Sequence, residues 1–135
     1  MSRSGYSDDV DGWALIRWRG AVRSAIRGKR GQTFLREMLA AFDALPIKRL
    51  IRNELANGGD VCAIGAVGKA SDVPMEAIDP EDYEAIATAF GISEAMAREI
   101  MFMNDEDGWR ETPEERFARM RAWIVSQITD AGGKG

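Results

Sequence analysis

The chain contains no histidine and only one cysteine, Cys62, among its 135 residues. The absence of histidine excludes Ser-His-Asp and Cys-His nucleophilic sites, imidazole metal ligands and an imidazole proton shuttle. A single cysteine excludes an internal disulfide and a cysteine-based zinc cluster, and it is typical of a reducing cytoplasm. Acidic residues are plentiful, but no spacing singles out a general acid and a base. We therefore expect a non-catalytic protein that carries no cofactor and no metal ion.

Long hydrophobic runs are missing as well. The longest uncharged apolar run covers residues 61–68, whereas a helix that spans a bilayer needs about 20 residues. The N-terminal sequence, MSRSGYSDDVDG, does not contain the hydrophobic core of a signal peptide. The sequence therefore predicts a cytoplasmic protein that does not interact with membranes.

Acidic residues outnumber basic ones, 22 to 18, which gives a net charge of −4. The two halves of the chain differ, because residues 1–57 contain 11 basic and 6 acidic side chains, whereas residues 58–135 contain 7 and 16. Such asymmetry is typical of a protein with a basic and an acidic surface that contact different partners. Alternatively, the two halves face each other within one fold and partly neutralise each other.

Apolar residues recur at three- and four-residue steps through most of the chain, and no alternating pattern predicts a substantial sheet. The hydrophobic fraction of 45% is sufficient for one buried core in a chain of this length. The sequence thus predicts an all-α fold, a compact single-domain bundle of about six or seven helices. The domain is expected to cover residues 11–131, between a flexible N-terminal segment, residues 1–10, and a flexible tail, residues 132–135.

The apolar pattern divides into separate helices in the first half of the chain. One pattern covers residues 15–26 and a second covers residues 34–45, where a proline follows and favours termination. A third, shorter helix is predicted over residues 47–55, before the Asn-Gly-Gly turn at residues 57–59. The apolar run at residues 61–70 fits either a short buried helix or a strand, and we favour the helix.

Capping residues mark the helix boundaries in the second half of the chain. Asp79, followed by Pro80, is predicted to cap a helix that ends at Gly91. Ser93 is predicted to cap the next helix. Thr112 begins the last helix with a capping box and with a proline at the first helical position.

A group of five basic residues around the end of the first helix is the candidate nucleic-acid contact. Its arginines follow steps of four, four and three residues, so on a helix they line one stripe beside the apolar sector. Such a stripe contacts phosphates, and Trp13 or Trp18 would stack on bases if exposed. In the alternative interpretation, the tryptophans belong to the core and the arginines are solvated or paired with acids. The basic residues are Arg19, Arg23, Arg27, Lys29 and Arg30.

The acidic loop before the last predicted helix partly resembles the calcium-binding loop of an EF-hand. Asp105, Asp107 and Glu114 fall at ligand positions when Gly108 is aligned with the turn glycine. Met103, however, occupies the position of the first ligand. We therefore favour a solvated acidic loop and leave ion binding open.

The chain resembles small uncharacterised helical proteins of phages and proteobacterial prophages in the segments GDVCAIGAVGKA, DPEDYEAIATAFGIS and ETPEERFARMRAWI and in the Asn104-Asp105 pair. The resemblance also includes the segment RGAVRSAIRGKRGQTFLREML. The similarity spans most of the chain. The group has no established activity or functional residues to transfer to this sequence. The resemblance implies a phage-associated regulator or an inhibitor of host machinery, including anti-defence proteins of the anti-CRISPR kind.

Together these observations predict a non-catalytic protein that acts by binding another macromolecule. Its acidic half is expected to present carboxylates to a host protein with a basic surface, where complementary charge accelerates encounter. The alternative is a nucleic-acid-binding regulator that uses the basic stripe of the first helix. The oligomeric state is left open. The candidate partner-binding residues are Glu81, Asp82, Glu84, Glu94, Asp105, Glu106 and Asp107.

Overall fold

The structure is a computed structural model that describes residues 12–105 and 110–129. Within these ranges the chain forms six α-helices and one short antiparallel hairpin, which confirms the predicted all-α fold. The predicted flexible segments, residues 1–10 and 132–135, lie outside the described residues. The elements are α1 (Gly12–Arg27), α2 (Lys29–Ala44), β1 (Ala56–Asn57), β2 (Asp60–Val61), α3 (Ala63–Ala70), α4 (Tyr83–Phe90), α5 (Glu94–Asp105) and α6 (Pro113–Gln127).

Helices α2 and α5 form the centre of the bundle. Helix α2 packs against α1, α3 and α6, and α5 packs against α1, α3, α4 and α6. Leu35, Met38 and Phe42 are fully buried because residues three or four apart share one face of α2. Phe42 stacks on Phe117 of α6, with the ring centroids 5.1 Å apart. Helix α2 therefore supports both α1 and α6.

The chain reverses direction sharply between α1 and α2. Only Gly28 separates the two helices. Close packing at the reversal requires a glycine at position 31, because a Cβ added to Gly31 would overlap the carbonyl oxygen of Ala25. The first turn of α2 is thereby held against the last turns of α1.

Gln32, in the first turns of α2, connects the end of α1 to the end of α6. Its side chain is buried, and its amide donates to the carbonyl oxygens of Ile26, at 2.7 Å, and Gln127, at 3.0 Å. Its carbonyl oxygen accepts from the N–H of Thr129 at 2.9 Å. The position of α6 relative to α1 is therefore fixed by a side chain of a third helix.

The predicted third helix over residues 47–55 is wrong, because this segment is irregular and leads into the hairpin. The predicted turn that follows is confirmed and connects β1 to β2. Its Gly58 and Gly59 have φ angles of +59° and +91°, which glycine adopts without steric cost. The apolar run after the hairpin forms α3, which confirms the preference for a helix there.

Backbone groups in the segment 47–55 bond to distant elements instead of to their own preceding turn. The N–H of Leu50 donates to the carbonyl oxygen of Pro113 at 3.0 Å. The N–H of Ile51 donates to the carbonyl oxygen of Val61 at 2.9 Å. Since buried backbone polar groups need partners, these bonds make the irregular conformation possible.

Three buried polar side chains, Asn104 and Asp105 of α5 and Arg116 of α6, supply further partners, and we call them the polar clamp. Asn104 also donates to the carboxylate of Asp105 at 2.7 Å. Burial lowers the pKa of Arg116, and the nearby carboxylate of Glu111 opposes this shift. Arg116 donates to the carbonyl oxygen of Leu50, and Asn104 donates to that of Ile51. Asp105 accepts from the N–H of Asn53, and Asn104 accepts from that of Ala63. Each of these four distances is 3.0 Å.

The start of α4 differs from the prediction by one turn. Asp82, and not Asp79, is the cap, because its carboxylate accepts from the N–H of Ala85 at 3.0 Å. Asp79 instead accepts from the N–H of Glu81 at 2.9 Å in the turn before the helix. The predicted end of α4 and the predicted caps of α5 and α6 are confirmed at Gly91, Ser93 and Thr112.

We expect Asn104→Ala to lower the free energy of unfolding by about 3 kcal/mol, because buried backbone groups of Ile51 and Ala63 lose their partners. The measurement is urea denaturation followed by circular dichroism. Asn57→Ala is the matched control, because Asn57 is exposed and its amide bonds only to Glu54 among the described contacts. It should change stability by less than about 0.5 kcal/mol. Equal losses for the two variants would contradict a structural role for the clamp.

Candidate functional site

Arg19, Arg23 and Arg27 are exposed along one side of α1. Their four-residue spacing places them about 6 Å apart along the helix axis and on one face. Val22 and Ile26 of the same helix are buried in the core next to them. Helix α1 therefore presents a row of three permanently charged guanidinium groups along the edge of its buried face.

A groove of about 460 Å³ lies between this row and the C-terminal end of α6, and we call it the α1–α6 groove. The three arginines line one side. Helix α5 contributes one carboxylate, Glu99, to the lining. The opposite side consists of Trp123, Ser126 and Gln127 of α6 and of Thr129 just after the helix.

The α6 side of the groove is held by packing and by hydrogen bonds. Trp123 is partly buried and packs against the hydrophobic core. The hydroxyl of Ser126 donates to the carbonyl oxygen of Trp123 at 2.6 Å, and the amide of Gln127 donates to the same hydroxyl at 3.1 Å. Because Gln32 also bonds to Gln127, the aromatic ring stands on a backbone that is fixed relative to the arginine row.

The predicted stripe of five basic residues is not continuous. Helix α1 ends at Arg27 and α2 begins at Lys29, so Lys29 and Arg30 belong to a different helix. The guanidinium of Arg30 donates to the carbonyl oxygen of Gly91 at 3.2 Å. Both residues line a separate depression beside Phe90. The structure therefore brings together the first three residues of the stripe and separates the last two from them.

Trp18, one of the two tryptophans that the sequence offered for stacking, is not among the described residues that line the groove. The guanidinium of Arg98 lies over the ring of Trp18, 5.6 Å from its centroid, and packs Trp18 into the contact between α1 and α5. The side chain of Trp13 lies outside the part of the chain that the structure describes. Trp123, in the groove, was missed because only the tertiary fold, in which α2 packs against both α1 and α6, places it opposite the arginines.

Four of the predicted acidic residues, Glu81, Asp82, Glu84 and Glu94, are exposed near the starts of α4 and α5. The carboxylate of Asp82 is engaged as the cap of α4. Glu94 forms an ion pair at 2.8 Å with Arg98, one turn later in α5. These residues therefore present negative charge to solvent, although the carboxylates of Asp82 and Glu94 are engaged within the protein.

The prediction that Asp105 belongs to an acidic surface is wrong. Asp105 is only 2% exposed, and its carboxylate accepts from the N–H of Asn53 and from the amide of Asn104. It is part of the polar clamp, so it is not presented to a partner. The other two acidic residues of this loop, Glu106 and Asp107, lie outside the described residues.

Residues 12–105 and 110–129 contain no group of three or more Cys, Asp or Glu side chains that could hold a metal ion. Burial raises the pKa of Cys62 to about 12, so its thiol is protonated at neutral pH. Its sulfur caps α3 by accepting from the N–H of Gly65 at 3.4 Å.

Within residues 12–105 and 110–129, no helix has the length and hydrophobicity that a bilayer-spanning helix requires.

We expect Gln32→Glu to lower the free energy of unfolding by about 3 kcal/mol, because the carboxylate has no N–H for two buried carbonyl oxygens. Urea denaturation measures the change. Gln127→Glu is a matched control, since it introduces the same charge at a partly exposed position of the groove. The control substitution should lower the free energy of unfolding by less than about 1 kcal/mol. A Gln32 variant as stable as the control would show that the groove does not depend on this side chain.

Comparisons with protein-family models, with curated proteins and with solved structures find no match to this chain. The α1–α6 groove combines three arginines of one helix face, an aromatic side chain and a cavity of about 460 Å³. We therefore infer function from the residues of this groove.

Proposed function

We propose that the protein is a non-catalytic nucleic-acid-binding protein whose α1–α6 groove contacts the phosphate backbone. The observation that carries the proposal is the alignment of Arg19, Arg23 and Arg27 along a single groove. Guanidinium groups bind phosphate through paired hydrogen bonds and stay charged at any physiological pH. A cytoplasmic location, which the single cysteine predicts, suits a partner of this kind.

A linear row of cations suits a polymer with repeating charges better than it suits one small anion. Each turn of α1 adds an arginine at a rise of about 6 Å. Successive phosphates of one strand can therefore contact successive arginines, and each contact releases a condensed counterion. The groove thus favours a nucleic-acid backbone over an isolated phosphate or carboxylate.

The net charge of −4 does not oppose this proposal, because charge acts locally at physiological ionic strength. Interactions between exposed charges are screened beyond about 8 Å. Within the groove lining, three arginines outnumber the single carboxylate of Glu99. The acidic residues at the starts of α4 and α5 are not part of this lining. The groove is therefore a local region of positive charge on an acidic protein.

We expect Arg23→Gln to weaken binding of a fluorescein-labelled oligonucleotide about tenfold at low salt, because one charged phosphate contact is lost. Fluorescence anisotropy at a series of salt concentrations measures the affinity. The slope of log K against log salt should decrease in magnitude by about 0.7 for a single strand. Arg17→Gln is the matched control, because it removes the same charge from an exposed position of α1 outside the groove lining. Equal effects of both variants, or no binding by the wild type, would contradict the proposal.

A second proposal is that the protein inhibits or regulates host machinery through its acidic residues, as the resemblance to phage and prophage proteins implies. Glu81, Asp82, Glu84 and Glu94 support it, because all four are exposed. Carboxylates at these positions suit a host protein with a basic surface. Asp105 is not part of this exposed set, because it is buried in the polar clamp. The remaining carboxylates are less well aligned than the three arginines of α1.

For the second proposal, we expect the double variant Glu81→Gln/Glu84→Gln to reduce recovery of a host protein in pull-down experiments. Neutral side chains remove the attraction to a basic surface while they keep similar size and polarity. Glu37→Gln is a control at an exposed position of α2. Unchanged recovery of every captured protein would count against an acidic docking surface.

A further inference from the structure

We infer that the α1–α6 groove takes a single strand, with one base stacked on Trp123 while the neighbouring phosphates contact the α1 arginines. The inference rests on the proposed function and specifies its ligand. The groove places an indole ring on one side and three guanidinium groups on the other. A cationic groove with an aromatic platform is the arrangement that proteins use to bind single strands without sequence preference.

The indole of Trp123 is suited to stacking because it is held in place before a ligand arrives. Trp123 packs against the hydrophobic core and is partly buried. The helix end that carries it is fixed by the bond from Gln32 to the carbonyl oxygen of Gln127. A ring that is already ordered loses little conformational entropy on binding, so the stacking energy contributes fully to affinity.

The dimensions of the groove favour one strand over two. A cavity of about 460 Å³ is within the range that encloses a small-molecule ligand, which is the size of a nucleotide. In a double helix the faces of the bases are covered by their neighbours, and only their edges are accessible in the grooves. Trp123 can therefore stack on a base only when that base is unpaired.

The polar groups beside Trp123 indicate a preference for stacking over base-edge recognition. The hydroxyl of Ser126 donates to the backbone of Trp123, and the amide of Gln127 donates to that hydroxyl. Both groups thus take part in hydrogen bonds within the protein, whereas base-specific recognition requires donors and acceptors directed at base edges. We therefore expect similar affinities for strands of different base composition.

The test compares three fluorescein-labelled probes of equal length with the wild-type protein: an oligothymidylate, an abasic strand with the same phosphates, and a duplex. Fluorescence anisotropy at low salt measures the affinities. We expect the oligothymidylate to bind about tenfold more tightly than the abasic strand, because one stacked base is lost. The duplex should bind more weakly than the oligothymidylate at equal phosphate concentration.

Two variants assign the stacking to Trp123. Trp123→Leu should weaken oligothymidylate binding about tenfold and remove the preference for the oligothymidylate over the abasic strand, because the stacked base is lost. Trp123→Phe should restore most of the affinity, since phenylalanine retains an aromatic face and packs in the same position. Thermal unfolding of both variants reports whether the fold is intact, and the comparison of probes on the wild type does not depend on either variant.

The outcomes separate this inference from the proposed function. Equal binding of the oligothymidylate and the abasic strand would overturn base stacking, while phosphate binding by the groove would stand. Tighter binding of the duplex would also overturn the single-strand inference alone. No binding of any probe at low salt would overturn both the single-strand inference and the proposal that the groove binds nucleic acid.

Discussion

The buried side chain of Gln32 holds the end of α1 against the end of α6, and the geometry of the groove depends on it. Its amide donates to two carbonyl oxygens and its own oxygen accepts one N–H, so its polar groups are satisfied without water. Because unsatisfied buried polar groups are costly, displacement of the α6 end would break the two bonds to Gln127 and Thr129, and displacement of the α1 end would break the bond to Ile26. A fixed separation between α1 and α6 keeps the arginines of one helix opposite the tryptophan of the other, as the proposed binding of one ligand requires.

The polar clamp has the same function for the opposite end of α6. Asn104, Asp105 and Arg116 bond to backbone groups of the irregular segment 47–55 and to the N–H of Ala63 at the start of α3. These buried side chains therefore hold α5 and α6 against the segment before the hairpin. Since α6 is fixed by Arg116 near its start and by Gln32 at its end, its groove-lining residues stand on a helix that is held at both ends.

Local chemistry made much of the fold predictable, while long-range contacts decided the rest. The cap at Thr112 and the glycine end at Gly91 were predictable because each depends on residues within one turn. The irregular conformation of segment 47–55 was not predictable, because its apolar spacing fits a helix. Only hydrogen bonds to distant residues such as Pro113 keep it irregular. For the same reason Asp105 resembled a surface carboxylate. In the candidate site, helical spacing predicted that Arg19, Arg23 and Arg27 share a face, but no local signal placed Trp123 opposite them.

The proposed binding surface is the groove between α1 and α6. Its position can be measured by titration of the isotopically labelled protein with an unlabelled oligothymidylate, followed by NMR of the backbone amides. We expect the largest chemical-shift changes at residues 19–27 and 123–129, because most of the groove lining lies within these two ranges. Changes confined to the starts of α4 and α5, with none along α1, would contradict it.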